Sequence, residues 1–161
     1  MPTARQRFLL AALACSALLA ASTARAQVVR SAAGNLGKNA LGQKMYGQIH
    51  SPGNSPYAIT VGASNSIGTT SRADDSMASY SSRGPTRSYY RTSTGTAVYD
   101  NLIKPDIVAP GNRLVSYKAP LNKMSLENLA LNLDLTNGTD SMMYMSGTSM
   151  SAPVVAGAAA L

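Results

Sequence analysis

The chain has 161 residues, a formal charge of +7 and only 13% charged side chains, which leaves room for one domain and excludes a disordered polyelectrolyte. Part of the positive charge is local: Arg5, Arg7 and Arg25 stand in a stretch without an acid, and the remaining Lys and Arg are scattered too thinly to mark a nucleic-acid surface. Gly, Ser, Ala, Thr and Asn are plentiful, a composition that suits an exported α/β enzyme.

In chain order, the basic start Met1 to Arg7, the uncharged run Phe8 to Ala21 and the small-x-small close Ala24-Arg25-Ala26 predict a secretory signal over residues 1–26, cleaved after Ala26. The uncharged run is too short for a stable membrane span, so the expected destination is the periplasm or the exterior. Cys15, the single cysteine, falls inside this leader, so residues 27–161 carry no disulfide. Val28 to Ala33 reads as a short strand ended by the turn Gly34 to Gly37, and a polar loop follows from Lys38 to Pro56. Tyr57 to Ala63 is a second strand, apolar and β-branched. Ser79 to Ser82 predicts a short strand, Thr86 to Leu102 a polar surface excursion, Lys104 to Gly111 a buried strand between two prolines, and Arg113 to Tyr117 a further strand. Leu121 to Leu135 has a loose helical spacing that assigns no element, and Met142 to Met145 reads as extended.

The final stretch carries the strongest signal. In Ser146-Gly147-Thr148-Ser149-Met150-Ser151-Ala152-Pro153, a glycine turn leads into a helix of small residues, with Thr148 placed to cap it and Pro153 in its early turns. Such a turn sets Ser149 at the positive end of a helix, where a free backbone N–H can stabilise an oxyanion. The Ala, Val and Gly that follow allow close packing on every side of that helix.

This octapeptide resembles the nucleophile motif of the subtilisin-like serine peptidases, the subtilases. The strand end Ala32-Ala33-Gly34-Asn35 is similar to a second segment of that family. The segments 51–63, 79–85 and 104–111 are similar to further subtilase core segments, in the same order. The resemblance implies an α/β, three-layer subtilisin-like fold with a mainly parallel sheet, present here in incomplete form, since crossover helices for such a sheet are not apparent in the chain. It implies a serine endopeptidase acting on protein or peptide substrates, with Ser149 as nucleophile and Asn35 as oxyanion donor. Ala32, Ala33 and Gly34 are implied to wall the pocket for the residue before the scissile bond, with room for a large apolar group.

The chain departs from the family where the general base is concerned. A serine hydroxyl needs a base to take its proton and a partner to orient that base. The Asp and His motifs that precede the Ala-Ala-Gly-Asn strand in subtilases are absent from this sequence. His50, the one histidine, lies in the polar loop and reads as a surface residue. Asp106 reads as a structural hydrogen-bonding group, and Asp74-Asp75 as a solvated turn. No metal-ligand spacing or cofactor loop is present, so neither a metal nor a cofactor is expected. The expectation is therefore a partial catalytic domain that needs a missing half supplying Asp and His, and that hydrolyses feebly alone. The alternative is a non-catalytic subtilase remnant or exported binding module.

Overall fold

The computed structural model describes residues 29–133 and 142–161; the expected leader over 1–26 lies outside them. Strand β1 (Val29–Ala32) pairs in parallel with β2 (Ala58–Asn65), matching Val29 to Ala58 and Ala32 to Val61. On its other side β2 pairs in parallel with β6 (Ile107–Pro110), from Val61 opposite Ile107 to Ser64 opposite Pro110. A two-residue strand β3 (Ser76–Met77) runs antiparallel to the end of β2. The sheet is thus mainly parallel, with the eight-residue β2 at its centre, where Ile59, Thr60 and Val61 supply the β-branched side chains that suit a pleated surface.

Two antiparallel strand pairs stand apart from this sheet. Strands β4 (Tyr89–Arg91) and β5 (Ala97–Tyr99) form one of them, within the stretch expected to be an irregular excursion. Strands β7 (Leu114–Tyr117) and β8 (Met142–Met145) form the other, with Leu114 opposite Met145. Between them lie the short helix α1 (Lys123–Glu127), capped by the Asn122 side chain on the Ser125 N–H, and a single 3-10 turn (Leu129–Leu131). Residues 134–141 lie outside the described ones.

Helix α2 (Thr148–Ala158) packs across β1, β2 and β6. Beneath it Ala33, Val61 and Ala63 are fully buried, and Ser151 is buried on the facing side of the helix. The close packing expected all round α2 is present on one side only: Val154 and its outer neighbours are exposed. Nor is β6 buried on both faces, for Ile107 and Val108 are each about half exposed and only Ala109 is covered. The strand expected over Ser79–Ser82 is instead an irregular turn, because its backbone is spent on other partners. Tyr80 O accepts from the Gly37 N–H, and the Ser82 N–H donates to Gly34 O.

Candidate functional site

The site grows from the end of β1. The Ala33 N–H donates to Val61 O, continuing the sheet for one residue beyond the strand, and the chain then turns at Gly34, whose φ of +103° lies in the region that favours glycine. A Cβ at that position would stand 3.0 Å from Ser82 Oγ and 3.1 Å from His50 Cγ. Ser82 clamps the turn from both sides, donating its N–H to Gly34 O at 2.9 Å and accepting the Leu36 N–H on Oγ at 3.0 Å.

Helix α2 meets this turn end-on. Gly147, not Thr148, occupies the N-cap position, with φ +153° and no side-chain cap. Thr148 is the first helical residue, and its side chain faces across the site. The Thr148 N–H donates to Asn35 Oδ1 at 3.0 Å, Thr148 Oγ1 donates to the same oxygen at 3.1 Å, and the Gly34 N–H donates to Thr148 Oγ1 at 3.1 Å. The capping expected within α2 is thus supplied by a carboxamide 113 residues earlier in the chain. Because both Thr148 bonds end on Oδ1, the orientation of the Asn35 amide is fixed by its acceptor end. Its Nδ2 turns toward Gly147, where a Cβ would lie 3.2 Å away.

Ser149 follows as the second residue of α2 and is exposed. Its N–H is among the first-turn donors that a helix leaves without an internal partner. Neither this N–H, nor Ser149 Oγ, nor Asn35 Nδ2 enters a hydrogen bond among the described residues. Pro153 sits in the second turn of α2, so the Ser149 carbonyl forgoes the helical bond that its N–H would have supplied.

Ser149 and Asn35 share a cleft of about 420 Å³, together with Ala32, Gly34 and Thr148. Ala33 is fully buried and does not line this cleft; its carbonyl accepts the His50 N–H at 3.2 Å and so fixes where the loop passes. His50 is exposed, as read from sequence, and it lies in the cleft wall with Ser51 and Pro52. No signal in the linear order links it to Ser149; the link is the loop carried back to the end of β1. On the other side of Ser149 lies an apolar groove of about 330 Å³, lined by Leu114, Val115, Met143, Met145 and Met150 among others. Ser149 stands at the boundary of the two.

The other candidates fall elsewhere. Asp106 lies in the sheet region, where its Oδ2 accepts from the Thr60 N–H and from Lys104 Nζ, each at 2.7 Å. Asp74 is exposed and accepts from Thr69 Oγ1. Among the described residues no group of three His, Cys, Asp or Glu gathers into a metal-binding set, and no helix is long and apolar enough to cross a membrane.

Residues 7–161 match the sequence profile of the subtilase family, peptidase family S8. Serine protease AprX of Bacillus subtilis (strain 168) is 40% identical over 135 residues, covering 83% of this chain and 25% of that protein. The chain therefore spans about a quarter of the length of this curated relative. Among solved structures, a psychrophilic protease designated S41 aligns over 83% of this chain and 32% of its own, at 26% identity and TM-score 0.49. Sphericase aligns over the same shares at 27% identity and TM-score 0.48. The prenylagaramide maturation protease PagA aligns over 83% of this chain and 30% of its own, at 22% identity and TM-score 0.47.

Proposed function

The chain belongs to the subtilase family, and from that premise we propose that residues 27–161 form the nucleophile-bearing part of a secreted or periplasmic serine endopeptidase, behind a signal sequence over 1–26. Ser149 Oγ attacks the carbonyl carbon of a protein or peptide substrate while its proton passes to an imidazole. The oxyanion that forms is held between the Ser149 N–H and Asn35 Nδ2, two neutral donors at the positive end of α2. Collapse breaks the C–N bond, the departing amine takes the proton from the imidazole, and an acyl-enzyme remains on Ser149 until water repeats the sequence. Ala32 and Gly34 wall the subsite for the residue before the scissile bond, and Ala33 contributes through the carbonyl that holds the His50 loop. The base and the Asp that orients it come from residues outside this chain.

One observation carries this reading: the turn after β1 and the start of α2 are locked together through Thr148 and Asn35 Oδ1, which leaves Nδ2 and the Ser149 N–H free in one cleft. Its test is a fluorophosphonate probe, applied to the purified chain alone and after mixing with the part of the AprX catalytic domain that precedes the matched segment. We expect Ser149 to be labelled only in the mixture, and not in Ser149→Ala. Alone, the chain retains at most the residual rate of a subtilisin stripped of its triad, about 10³–10⁴ over water. Absence of labelling in both states, with circular dichroism showing a folded chain, overturns the proposal. That result favours an exported binding module, a reading supported by the absence of any base hydrogen-bonded to Ser149 among the described residues.

A further inference from the structure

The two sides of Ser149 differ in chemistry. The groove toward β7 and β8 is built of Leu, Val and Met side chains. The cleft that holds Asn35 is lined also by His50, Ser31 and Ser51, beside Leu36 and Pro52. Among the described residues no Asp, Glu, Lys or Arg lines this cleft, and His50 is the one group of its described lining able to carry a charge. The His50 backbone is tied to Ala33 O, and its ring lies against the Gly34 turn, with Cγ and Nδ1 at 3.1 and 3.2 Å from where a Gly34 Cβ would be. The ring makes no hydrogen bond to Ser149 or to any other described residue. It is positioned but unpartnered on the wall of the cleft, which is the placement of a group that reads a ligand.

We propose that His50 is the specificity-determining residue of this cleft and that it selects substrates with glutamate immediately before the scissile bond. The proposal rests on the peptidase reading of Ser149 and deepens it. An imidazole donates a hydrogen bond in either protonation state, and a carboxylate accepts it without competition from any acid among the described lining residues. The excess of positive charge, +7 for the whole chain and 7 − 3 = +4 once Arg5, Arg7 and Arg25 of the expected leader are set aside, favours an anionic ligand at longer range. A lysine at the same place meets no acceptor charge among the described lining residues, and a leucine leaves the imidazole desolvated without a partner. A large apolar group, which the small side chains of Ala32 and Gly34 alone would admit, is therefore the poorer ligand.

The test uses product-like peptides and needs no turnover. Acetyl-Ala-Ala-Xaa acids with Xaa as Glu, Gln, Leu or Lys each present the same terminal carboxylate to Asn35 and Ser149, so differences report the last side chain. Because His50 is the only histidine in the chain, its ring resonances give one unambiguous NMR probe. The expected result is that the Glu peptide binds about fivefold more tightly than Leu, with Gln between them and Lys weakest, and that it shifts the His50 ring signals. In His50→Leu and His50→Gln, both at an exposed position whose backbone bond survives, the Glu preference falls to within about twofold of Leu. Equal or tighter binding of Leu with shifts at Met143 or Met145 overturns the proposal, as does a Glu preference that persists in both variants or a lack of binding by all four peptides. Fluorophosphonate labelling of Ser149 in the mixture with the AprX segment is read separately, so loss of the specificity claim and loss of the peptidase claim are told apart.

Discussion

The two ends of the Asn35 carboxamide have different surroundings. Its Oδ1 takes two bonds from Thr148, and its Nδ2 is left toward the cleft. The substitution that separates these ends is Asn35→Asp, which keeps an oxygen for Thr148 and places a negative charge at the N-terminus of α2, where the helix dipole favours it. We expect its stability to stay within about 1 kcal/mol of the parent. In the peptidase reconstituted with the AprX segment, kcat should fall by about 10²–10³ with little change in KM, the range known for loss of one oxyanion donor in a subtilisin. Thr148→Val does the converse, removing a donor to Oδ1 and an acceptor of the Gly34 N–H from a fully buried position, and costs about 1–3 kcal/mol in urea unfolding. An Asn35→Asp protein with unchanged kcat removes Asn35 from the chemistry. At this scale a motif singles out Ser149 and Asn35 as candidates, and the fold brings the two into one cleft. The sequence misplaced Thr148 as the N-cap, because a capping rule looks for a partner within the same helix, whereas Gly147 takes that position and Thr148 is held by a turn 113 residues away.

Among elements, the start of α2 is held from behind by a single carbonyl. Gly111 O, just past β6, accepts the Tyr80 hydroxyl and the Gly147 N–H, each at 2.8 Å, while the Arg113 N–H donates to Ser146 Oγ. Burial pushes the Tyr80 phenol above its ordinary pKa, against the opposing pull of the Gly147 N–H, so the hydroxyl stays protonated and able to donate. Tyr80→Phe removes that donor and leaves Gly111 O with one partner. Its expected cost is about 1 kcal/mol in chemical unfolding, and because the glycine turn is still held by the Gly147 N–H, Ser149 labelling should persist in the mixture. Loss of labelling with unchanged stability shows instead that the phenol sets the turn geometry itself. The parallel strands β1, β2 and β6 could be placed from their apolar and β-branched runs, whereas the two-residue β3, Ser76–Met77, carries no such signal. The turn at 79–82 could not, because its serines and tyrosine look like a strand in isolation and serve other backbones in the fold. The hairpin β4–β5 was missed for the opposite reason: all three β4 residues are exposed, so no alternation of burial marks them.

Over the whole molecule, sequence order misleads about which faces are covered, because an apolar run such as Ile107-Val108 reads as buried whether or not anything packs on it. What ties the central sheet together is polar. Lys104, almost fully buried, donates from Nζ to Ala58 O at the start of β2 and to Asp106 Oδ2. Asp106 in turn receives the Thr60 N–H on its carboxylate and returns its own N–H to Thr60 O. The approach to β6 is thereby bolted to β2 over the segment where the parallel register is set. Partial burial works against the charged Asp106 carboxylate, but the Lys104 ammonium and the Thr60 N–H outweigh it and hold its pKa below the ordinary 3.8. A carboxylate whose pKa is lower in the folded than in the unfolded chain contributes stability that is complete above the unfolded value and is lost as the pH falls through the folded one. Urea unfolding of the parent and of Asp106→Asn from pH 7 down to about pH 2.5 should therefore show a difference that is constant near neutrality, shrinks once the pH drops below the ordinary carboxylate range, and levels off below the lowered pKa. Lys104→Met, which strands the carboxylate beside a buried methylene chain, should cost about 1–3 kcal/mol at pH 7 and less in acid, where the protonated Asp106 no longer calls for the ammonium. A parent-minus-Asp106→Asn difference that stays flat across the whole acid range shows that the sheet is not joined through this pair, and leaves the parallel register to the β2 and β6 backbones alone.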